Sequence, residues 1–573
     1  MAEKRRFQQE ESKDMTSAVF RGPNSIDNLQ PGLNRCLDAF VVALNQSCDG
    51  KKWYTSIAGL QLASLAFCVA CRNVLAPCLT VDKGTPLRLW CGPCTTPLEV
   101  LTTVTRVPAI RVREVVWKLT ERKDGIALPS SLRRITFGRD FNQRIDRGFL
   151  PASVEEIVFG NAFDQPVNGV RWPTSLRKLV FGNAFNQPVD EGVWPVSLQE
   201  LVFGGEFNQS LDGGALPTSL RRLTLGFRFN QRMDEVLLPA SVENIVFGIC
   251  FNQPVKGVSW PASLEGLEFR CAFNQPMDEA VWPASLRELL FSWRFNQSIQ
   301  GGVLPTSLRR LCFKYDFNQR IDGNTLPPSL VHLDLGRAFN QPVNKVSWPP
   351  SLEEIVFGRQ FNQPVDEVVW PASLHVLEFV LGTLALSGSR DGTFDQPIHS
   401  VAWSTRLQHL RLGGKFNQPI VEVMWPRSLQ TLTLDGLFNQ PVHQVVWSSS
   451  LRQLKLGGSF NQPISQVKWP ASLERLQLGA DYGLFDQPID GVTWSTSLRW
   501  IVFGMAFDRP MGNVVWPASL RGLVLPSHCD RALAGWPHVE VVLVDASFDG
   551  GGDYVDYFNA IAGAGFLWPG QSY

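Results

Sequence analysis

The sequence has no excess of charge of either sign. Its 573 residues include 53 lysines and arginines and 53 aspartates and glutamates, so the formal net charge is zero. Proteins that bind nucleic acids usually carry a basic surface that neutralises phosphates. The balanced composition therefore argues against nucleic acid as a partner and gives no support to binding at a charged membrane surface.

Long hydrophobic runs are also missing. Residues 1–13 are charged and lack the apolar core of a secretory signal. The most apolar stretch, residues 57–81, is interrupted by Arg72 and Asn73, and it is therefore too short for a bilayer helix of roughly 20 residues. We expect a cytoplasmic protein that has no membrane partner.

Cysteine is scarce, and its placement is uneven. Eleven cysteines are too few for a disulfide scaffold of this size, and seven of them lie between Cys36 and Cys94. Residues 90–94 read Trp-Cys-Gly-Pro-Cys, as in thioredoxins, but the strands and helix that a thioredoxin fold needs afterwards do not fit before the repeats begin. Cys91 and Cys94 of this motif, together with Cys68 and Cys71, also have the spacing of a zinc site. Thiol-redox or zinc binding there stays an alternative, while we expect no catalytic residue, metal ligand or cofactor.

What the sequence does contain is a repeat. Seventeen phenylalanines between Phe141 and Phe507 are each followed by Asn or Asp, and then by Gln in every copy but the last. The first eleven lie 22 residues apart. The unit reads roughly Pro-x-Ser-Leu-x-x-Leu-x-Phe-Gly-x-x-Phe-Asn-Gln-Pro-Val-x-x-Val-x-Trp. A fixed period of this length predicts a stacked solenoid.

Each unit predicts a short strand and an irregular return. The prolines exclude a long helix, because proline removes a backbone donor and clashes with the preceding turn. The segment Ser-Leu-x-x-Leu-x-Phe ends at glycine and has the length of a short strand. We therefore expect a leucine-rich-repeat-like solenoid of short parallel β-strands with irregular proline-containing return segments. A small α-helical amino-terminal region and an α/β carboxy-terminal cap complete the predicted fold.

The asparagine of each copy is expected to be structural. An inward column of side-chain amides can satisfy turn groups that the solenoid hides from water. Asp164, Asp395, Asp486 and Asp508 take its place in four copies and can accept the same hydrogen bonds without donating them. The predicted ladder comprises Asn142, Asn186, Asn208, Asn230, Asn252, Asn274, Asn296, Asn318, Asn340 and Asn362.

The unit resembles the FNIP repeat, a variant of the leucine-rich-repeat superfamily, over about residues 126–520. The resemblance implies a non-enzymatic interaction scaffold, and some proteins of this kind carry an F-box before the repeats. Residues 62–75 look distantly like the later part of an F-box. We therefore expect a monomer that binds unidentified protein partners and no small-molecule substrate, with an F-box-type substrate receptor of a ubiquitin ligase as the alternative.

These patterns divide the chain into five regions. The predicted regions are a disordered tail (1–30), a small helical region that is F-box-like or a cap (31–95), a degenerate capping coil (96–125), the solenoid (126–525, with an insertion at about 380–393) and a carboxy-terminal cap (526–573).

A longer period marks a candidate binding region. The residue before the strand proline follows a Leu/Leu/Trp/Trp cycle, which is an 88-residue duplication that stops after Phe361. In the early coils the outward strand residues alternate in charge, and from about residue 332 they do not. Because the insertion falls in the same region, we expect a partner-binding surface there. The candidate residues are His332, Asp334, His375, Glu378, His409, Arg411 and Trp500.

Overall fold

The computed structural model describes residues 78–81, 114–117, 128, 130–145, 148–189, 194–212, 216–323, 325–379, 392–479, 483–532 and 539–544. The chain forms two compact units, residues 1–75 with 87–93 and residues 76–86 with 94–573. Every described residue belongs to the second unit. The predicted disordered tail, the F-box-like segment, the Trp-Cys-Gly-Pro-Cys motif and most of the insertion lie outside the described residues.

The described part of the chain builds one parallel sheet of 21 strands. Each strand pairs with the next strand in the sequence, usually one repeat later. The strands are β1 (Cys78–Val81), β2 (Glu114–Trp117), β3 (Arg134–Phe137), β4 (Glu156–Val158), β5 (Lys178–Val180), β6 (Glu200–Val202), β7 (Arg222–Thr224), β8 (Asn244–Val246), β9 (Gly266–Phe269), β10 (Glu288–Phe291), β11 (Arg310–Phe313), β12 (His332–Asp334), β13 (Glu354–Val356), β14 (Val376–Glu378), β15 (His409–Leu412), β16 (Thr431–Leu434), β17 (Gln453–Leu456), β18 (Arg475–Leu478), β19 (Trp500–Phe503), β20 (Gly522–Pro526) and β21 (Glu540–Val544).

The sheet extends beyond the recognisable repeats at both ends. β1 pairs with β2, and β2 pairs with β3, so two strands precede residue 126. Cys78 and Leu79, for which the sequence predicts a helical region, lie in a strand instead. At the other end β21 continues the register of β20 within the predicted cap. The helix among the described residues is a 3-10 helix, Ser527–Ala532, and no described helix has the length and hydropathy to cross a membrane.

The core follows from alternation along each strand and from the stacking of identical residues. In one coil Leu176, Leu179, Phe181 and Phe185 are 3% exposed or less. The rings of Phe181 and Phe185 stack at a centroid distance of 3.9 Å. The ring of Phe185 also stacks on Phe207 of the next coil at 6.1 Å. Each ring therefore has aromatic neighbours in its own coil and in the adjacent coil.

The Pro-x-Ser-Leu segment forms a turn that binds the preceding coil. The amide of Leu176 donates to the carbonyl oxygen of Pro173 at 3.1 Å, which closes the turn. The hydroxyl of Ser197 donates to the carbonyl oxygen of Leu176 at 2.7 Å, one coil earlier. The serine hydroxyl thus satisfies a carbonyl group that the neighbouring turn leaves without a partner.

The asparagine column connects each turn to the next. Asn208 Oδ1 accepts hydrogen bonds from the amide of Asn230 at 2.9 Å and from Gln231 Nε2 at 3.1 Å. The bond from the next backbone amide is also made by Asn142, Asn186, Asn230, Asn252, Asn274, Asn296, Asn318, Asn340 and Asn362.

Aspartate fits this column because the ladder uses the side-chain oxygen. Asp395 Oδ1 accepts from the amide of Asn417 and from Gln418 Nε2, both at 2.9 Å. The bond from the amide of Asp395 to Asn362 Oδ1 spans 33 residues and still measures 2.9 Å. The insertion therefore leaves the column unbroken.

Replacing Asn208 tests the value of this oxygen. We expect Asn208→Ala to lower the free energy of unfolding by about 1–3 kcal/mol, because the half-buried backbone amide of Asn230 loses its acceptor. Gln231 Nε2 keeps the backbone carbonyl oxygen of residue 208, at 2.9 Å, as its acceptor. Asn208→Asp should cost clearly less, since aspartate keeps the acceptor. Urea denaturation of both variants measures the difference, and equal costs would show that the amide nitrogen matters instead.

Opposite charges meet between the early strands, in keeping with the alternation seen in the sequence. Arg134 pairs with Glu156 at 2.6 Å, and Lys178 pairs with Glu200 at 2.8 Å. Most of these groups are partly exposed, so each pair contributes at most about 1 kcal/mol. Their main effect is to disfavour a shift of one coil past its neighbour.

Candidate protein-binding site on the outer sheet face

The side chains that alternate with the core leucines point away from the core and form what we call the outer sheet face. The last residue of β4, β5 and β6 points outward, and it is a half-buried valine in each strand: Val158, Val180 and Val202. From β12 onward the same column includes charged residues, among them Asp334, Glu378 and Arg411. Asp334 is 6% exposed and Glu378 is 4% exposed, which is unusual for carboxylates.

His332 and Asp334 stand on β12 and have charged partners. His332 Nδ1 lies 2.7 Å from Glu354 Oε2, which is the residue directly opposite on β13. Lys314 Nζ donates to Asp334 Oδ2 at 3.2 Å, and the amide of Gly336 donates to Asp334 Oδ1 at 3.0 Å. The buried carboxylate of Asp334 is therefore compensated by a cation and a backbone amide.

His332 should make stability depend on pH. Burial alone would lower the pKa of this histidine, but its interactions with Cys312 and Glu354 raise it from 6.5 to about 9. A raised pKa in the folded state contributes stability below about pH 6.5, and this contribution is lost as the pH rises through about 9. The shift is equivalent to up to about 3 kcal/mol.

We therefore expect wild type to exceed His332→Gln in stability by the largest margin below pH 6.5, and the margin to shrink toward pH 9. Urea denaturation at a series of pH values measures it. The control is His443→Gln at an exposed position. A margin that stays constant from pH 6 to pH 10 would contradict the assigned interaction with Glu354.

The next cluster lies on β14 to β17. Glu378 is opposite Arg411 in the register of β14 and β15. Arg411 lies 3.4 Å from Asp435, and Lys455 lies 3.2 Å from the same carboxylate. Burial would raise the pKa of Asp435, but the charges of Lys455 and Arg411 lower it. The cluster therefore holds two cations around one ionised carboxylate.

The two histidines lie beside this cluster. His375 is half-buried immediately before β14, and its Nδ1 lies 3.4 Å from the carbonyl oxygen of Ser373. His409 begins β15 opposite Val376, and burial together with the nearby charge of His375 lowers its pKa. The neutral imidazole of His409 can donate or accept hydrogen bonds.

Trp500 does not join this group. It lies on β19, four strands beyond β15, between Arg475 and Gly522 in the register. A Cβ atom on Gly522 would lie 2.0 Å from the Trp500 ring, so the ring covers that glycine. The other six candidates occupy β12, β14 and β15 or the residue just before β14.

Several charged residues of the site were missed in the sequence. Lys314 and Asp435 replace the glycine that follows the strand in most coils, and this replacement was the available signal. Glu354 and Lys455 looked like ordinary surface charges until the register placed them beside His332 and Asp435. We define the polar patch as His332, Asp334, Glu354, His375, Glu378, His409, Arg411, Asp435 and Lys455.

The parallel coils, the single-residue columns and the leucine-rich core define a leucine-rich-repeat-like β-solenoid. The FNIP Repeat family model matches six segments, residues 125–162, 163–206, 207–250, 295–338, 339–381 and 438–481. These six segments of the chain are therefore FNIP repeats.

Two solved structures to which the chain is similar differ in how well they match it. CroV588, described as a novel circular LRR protein, is 37% identical with a TM-score of 0.66, and the match covers 77% of this chain but 64% of CroV588. The Toll–Spatzle complex, a molecular hub in Drosophila development and innate immunity, matches at 12% identity, over 78% of this chain and 59% of the other, with a TM-score of 0.44. No curated protein matches the chain.

Proposed function

We propose that this protein is a non-enzymatic interaction scaffold that binds a protein partner through the polar patch. The observation that carries this proposal is the change along the outer sheet face, from the valines of β4 to β6 to a column that includes the buried carboxylates of Asp334 in β12 and Glu378 in β14. Repeat solenoids use such a face as an extended binding surface.

The charges of the patch favour a polypeptide that carries both acidic and basic side chains. Arg411 and Lys455 share the carboxylate of Asp435, and each ammonium or guanidinium group has further donors for a partner. Glu354 and the neutral imidazole of His409 offer acceptors within the same few strands. Charged groups held in fixed positions contribute specificity as well as affinity.

The insertion lies in the sequence between two strands of the patch. It separates β14 from β15, which carry Glu378 and Arg411. The coil spacing there is 33 residues instead of 22, so removing residues 380–390 would restore the regular period. Loops on a rigid repeat frame commonly bear binding residues.

The test compares partners recovered from cells by quantitative affinity purification. The patch variant carries His375→Ala, His409→Ala and Arg411→Ala together with deletion of residues 380–390. The control carries Arg177→Ala, Lys178→Ala and Arg222→Ala, because these basic residues lie at the start of β5 and β7 or directly before β5, in early coils.

We expect the patch variant to lose at least one specific partner that the control retains. If the patch variant keeps every partner of the wild type while both variants are folded by circular dichroism, the polar patch is not the binding surface. Loss of the same partners in both variants would place binding elsewhere on the sheet.

A further inference from the structure

The hydrogen-bonded column after each motif phenylalanine ends at Asp508. Its amide donates to Asp486 Oδ1 at 3.0 Å, as the amides of the members from Asp164 onward donate to the member before them. In the earlier coils, a backbone amide of the next coil donates to the side chain at this position. After Asp508 the corresponding part of the chain is the 3-10 helix Ser527–Ala532. The carboxylate of Asp508 therefore lies beside this helix instead of a regular coil.

The preceding aspartate shows how the protein compensates such a charge elsewhere. Asp486 Oδ2 accepts from Arg509 Nη2 at 2.8 Å, and Arg509 Nε donates to the Asp486 carbonyl oxygen at 2.9 Å. Arg509 stands where the other copies have glutamine. Asp486 thus has a dedicated cation, whereas Asp508 is joined by two side chains of a different kind.

Those side chains are His528 and Cys529 of the 3-10 helix. His528 Nε2 and Cys529 Sγ each lie 3.0 Å from the carbonyl oxygen of Phe507. A carboxylate oxygen of Asp508, a ring nitrogen of His528 and the Cys529 sulfur all lie within 4.8 Å of one another. Asp508 and His528 are exposed, while Cys529 is 7% exposed.

Carboxylate, imidazole and thiolate are the three ligand types that Zn²⁺ takes in proteins, at about 2.0–2.3 Å from the ion. Tetrahedral ligands at those distances lie about 3.3–3.8 Å apart, so side-chain movements of about 1 Å would bring the three atoms into position. We propose that Asp508, His528 and Cys529 bind a divalent transition cation, foremost Zn²⁺, with water in the fourth position. The ion would fasten the 3-10 helix to the last coil and end the asparagine column.

The test uses the full chain, freed of metal with a chelator and kept reduced. Zn²⁺ is titrated against a competing chromophoric chelator, and bound zinc is counted by elemental analysis after gel filtration. Because other cysteines could bind zinc, the quantity of interest is the difference between wild type and variants. The variants are Cys529→Ser, His528→Gln and Asp508→Asn, and Cys250→Ser is the control for an exposed free cysteine.

We expect Cys529→Ser and His528→Gln each to lose one bound zinc relative to wild type, and Cys250→Ser to lose none. Cys529→Ser keeps a hydroxyl that can donate to Phe507, so loss of metal can be separated from loss of folding. Asp508→Asn should weaken the affinity for that zinc ion at least about ten-fold. Cobalt in place of zinc should give a thiolate charge-transfer band that is absent in Cys529→Ser. Equal zinc stoichiometry and affinity in wild type and the first two variants would overturn the site.

Discussion

Alanine at Gly204 is expected to destabilise the solenoid by about 3 kcal/mol or more. A Cβ atom there would lie 1.6 Å from the carbonyl oxygen of Gly182 and 2.5 Å from its carbon, in the preceding coil. Both clashing atoms are backbone, so no side-chain rotation relieves the overlap. The coils themselves must separate, which weakens the adjacent ladder and the stacked phenylalanines.

Gly458→Ala is the matched control for this prediction. A Cβ atom at Gly458 meets the carbonyl oxygen of Gly436 at 3.5 Å, which is an ordinary contact. We expect that substitution to change the free energy of unfolding by less than about 1 kcal/mol. Differential scanning calorimetry of the two variants compares them directly. Similar melting temperatures would mean that the spacing between coils adapts more easily than the structure implies.

Phe207→Ala is expected to cost about 3–5 kcal/mol, the usual range for removing a buried aromatic ring. Phe207 is fully buried, stacks on Phe203 at 3.9 Å and lies between Phe185 and Phe229 at 6.1 and 6.2 Å. The cavity would interrupt a column that continues on both sides. Urea denaturation, followed by intrinsic fluorescence, measures the loss.

Phe227→Ala provides the comparison, because this phenylalanine is 42% exposed. Its removal should cost about 1 kcal/mol or less, since much less apolar area leaves the interior. If both substitutions cost the same, the stacked column contributes no more than surface contact. A broad or stepwise transition in Phe207→Ala alone would show local unfolding around the damaged coil, as expected for repeat proteins.

Much of the fold could be predicted because each coil contacts chiefly its neighbours. The parallel strands, the leucine-rich-repeat-like solenoid and the FNIP repeat are confirmed by the structure and by the family match. The start of the sheet could not be predicted in this way. β1 and β2 carry no recognisable repeat, and pairing with the next strand alone makes them part of the sheet.

The candidate site was harder to predict from the sequence, because its contacts join residues of different coils. The sequence indicated His332 as irregular, but it could not show that the histidine meets Glu354 at 2.7 Å, because that contact depends on the strand register. Trp500 looked equally irregular and lies four strands away from β15. Departures from the repeat thus identify candidate positions in the sequence. The register of the strands decides which of these side chains contact one another.

By itself the sequence determined the repeating unit and its apolar inward residues, because a period of 22 residues and buried phenylalanine and leucine columns follow from local spacing and hydrophobicity. Only the tertiary structure decided which side chains lie together across coils. It brought Arg411, Asp435 and Lys455 around one carboxylate, and Asp508 within 4.8 Å of ligand atoms of His528 and Cys529. Stacking of the coils brings residues that are about one repeat apart in the sequence to within a few ångströms of each other. The sequence alone does not give these distances.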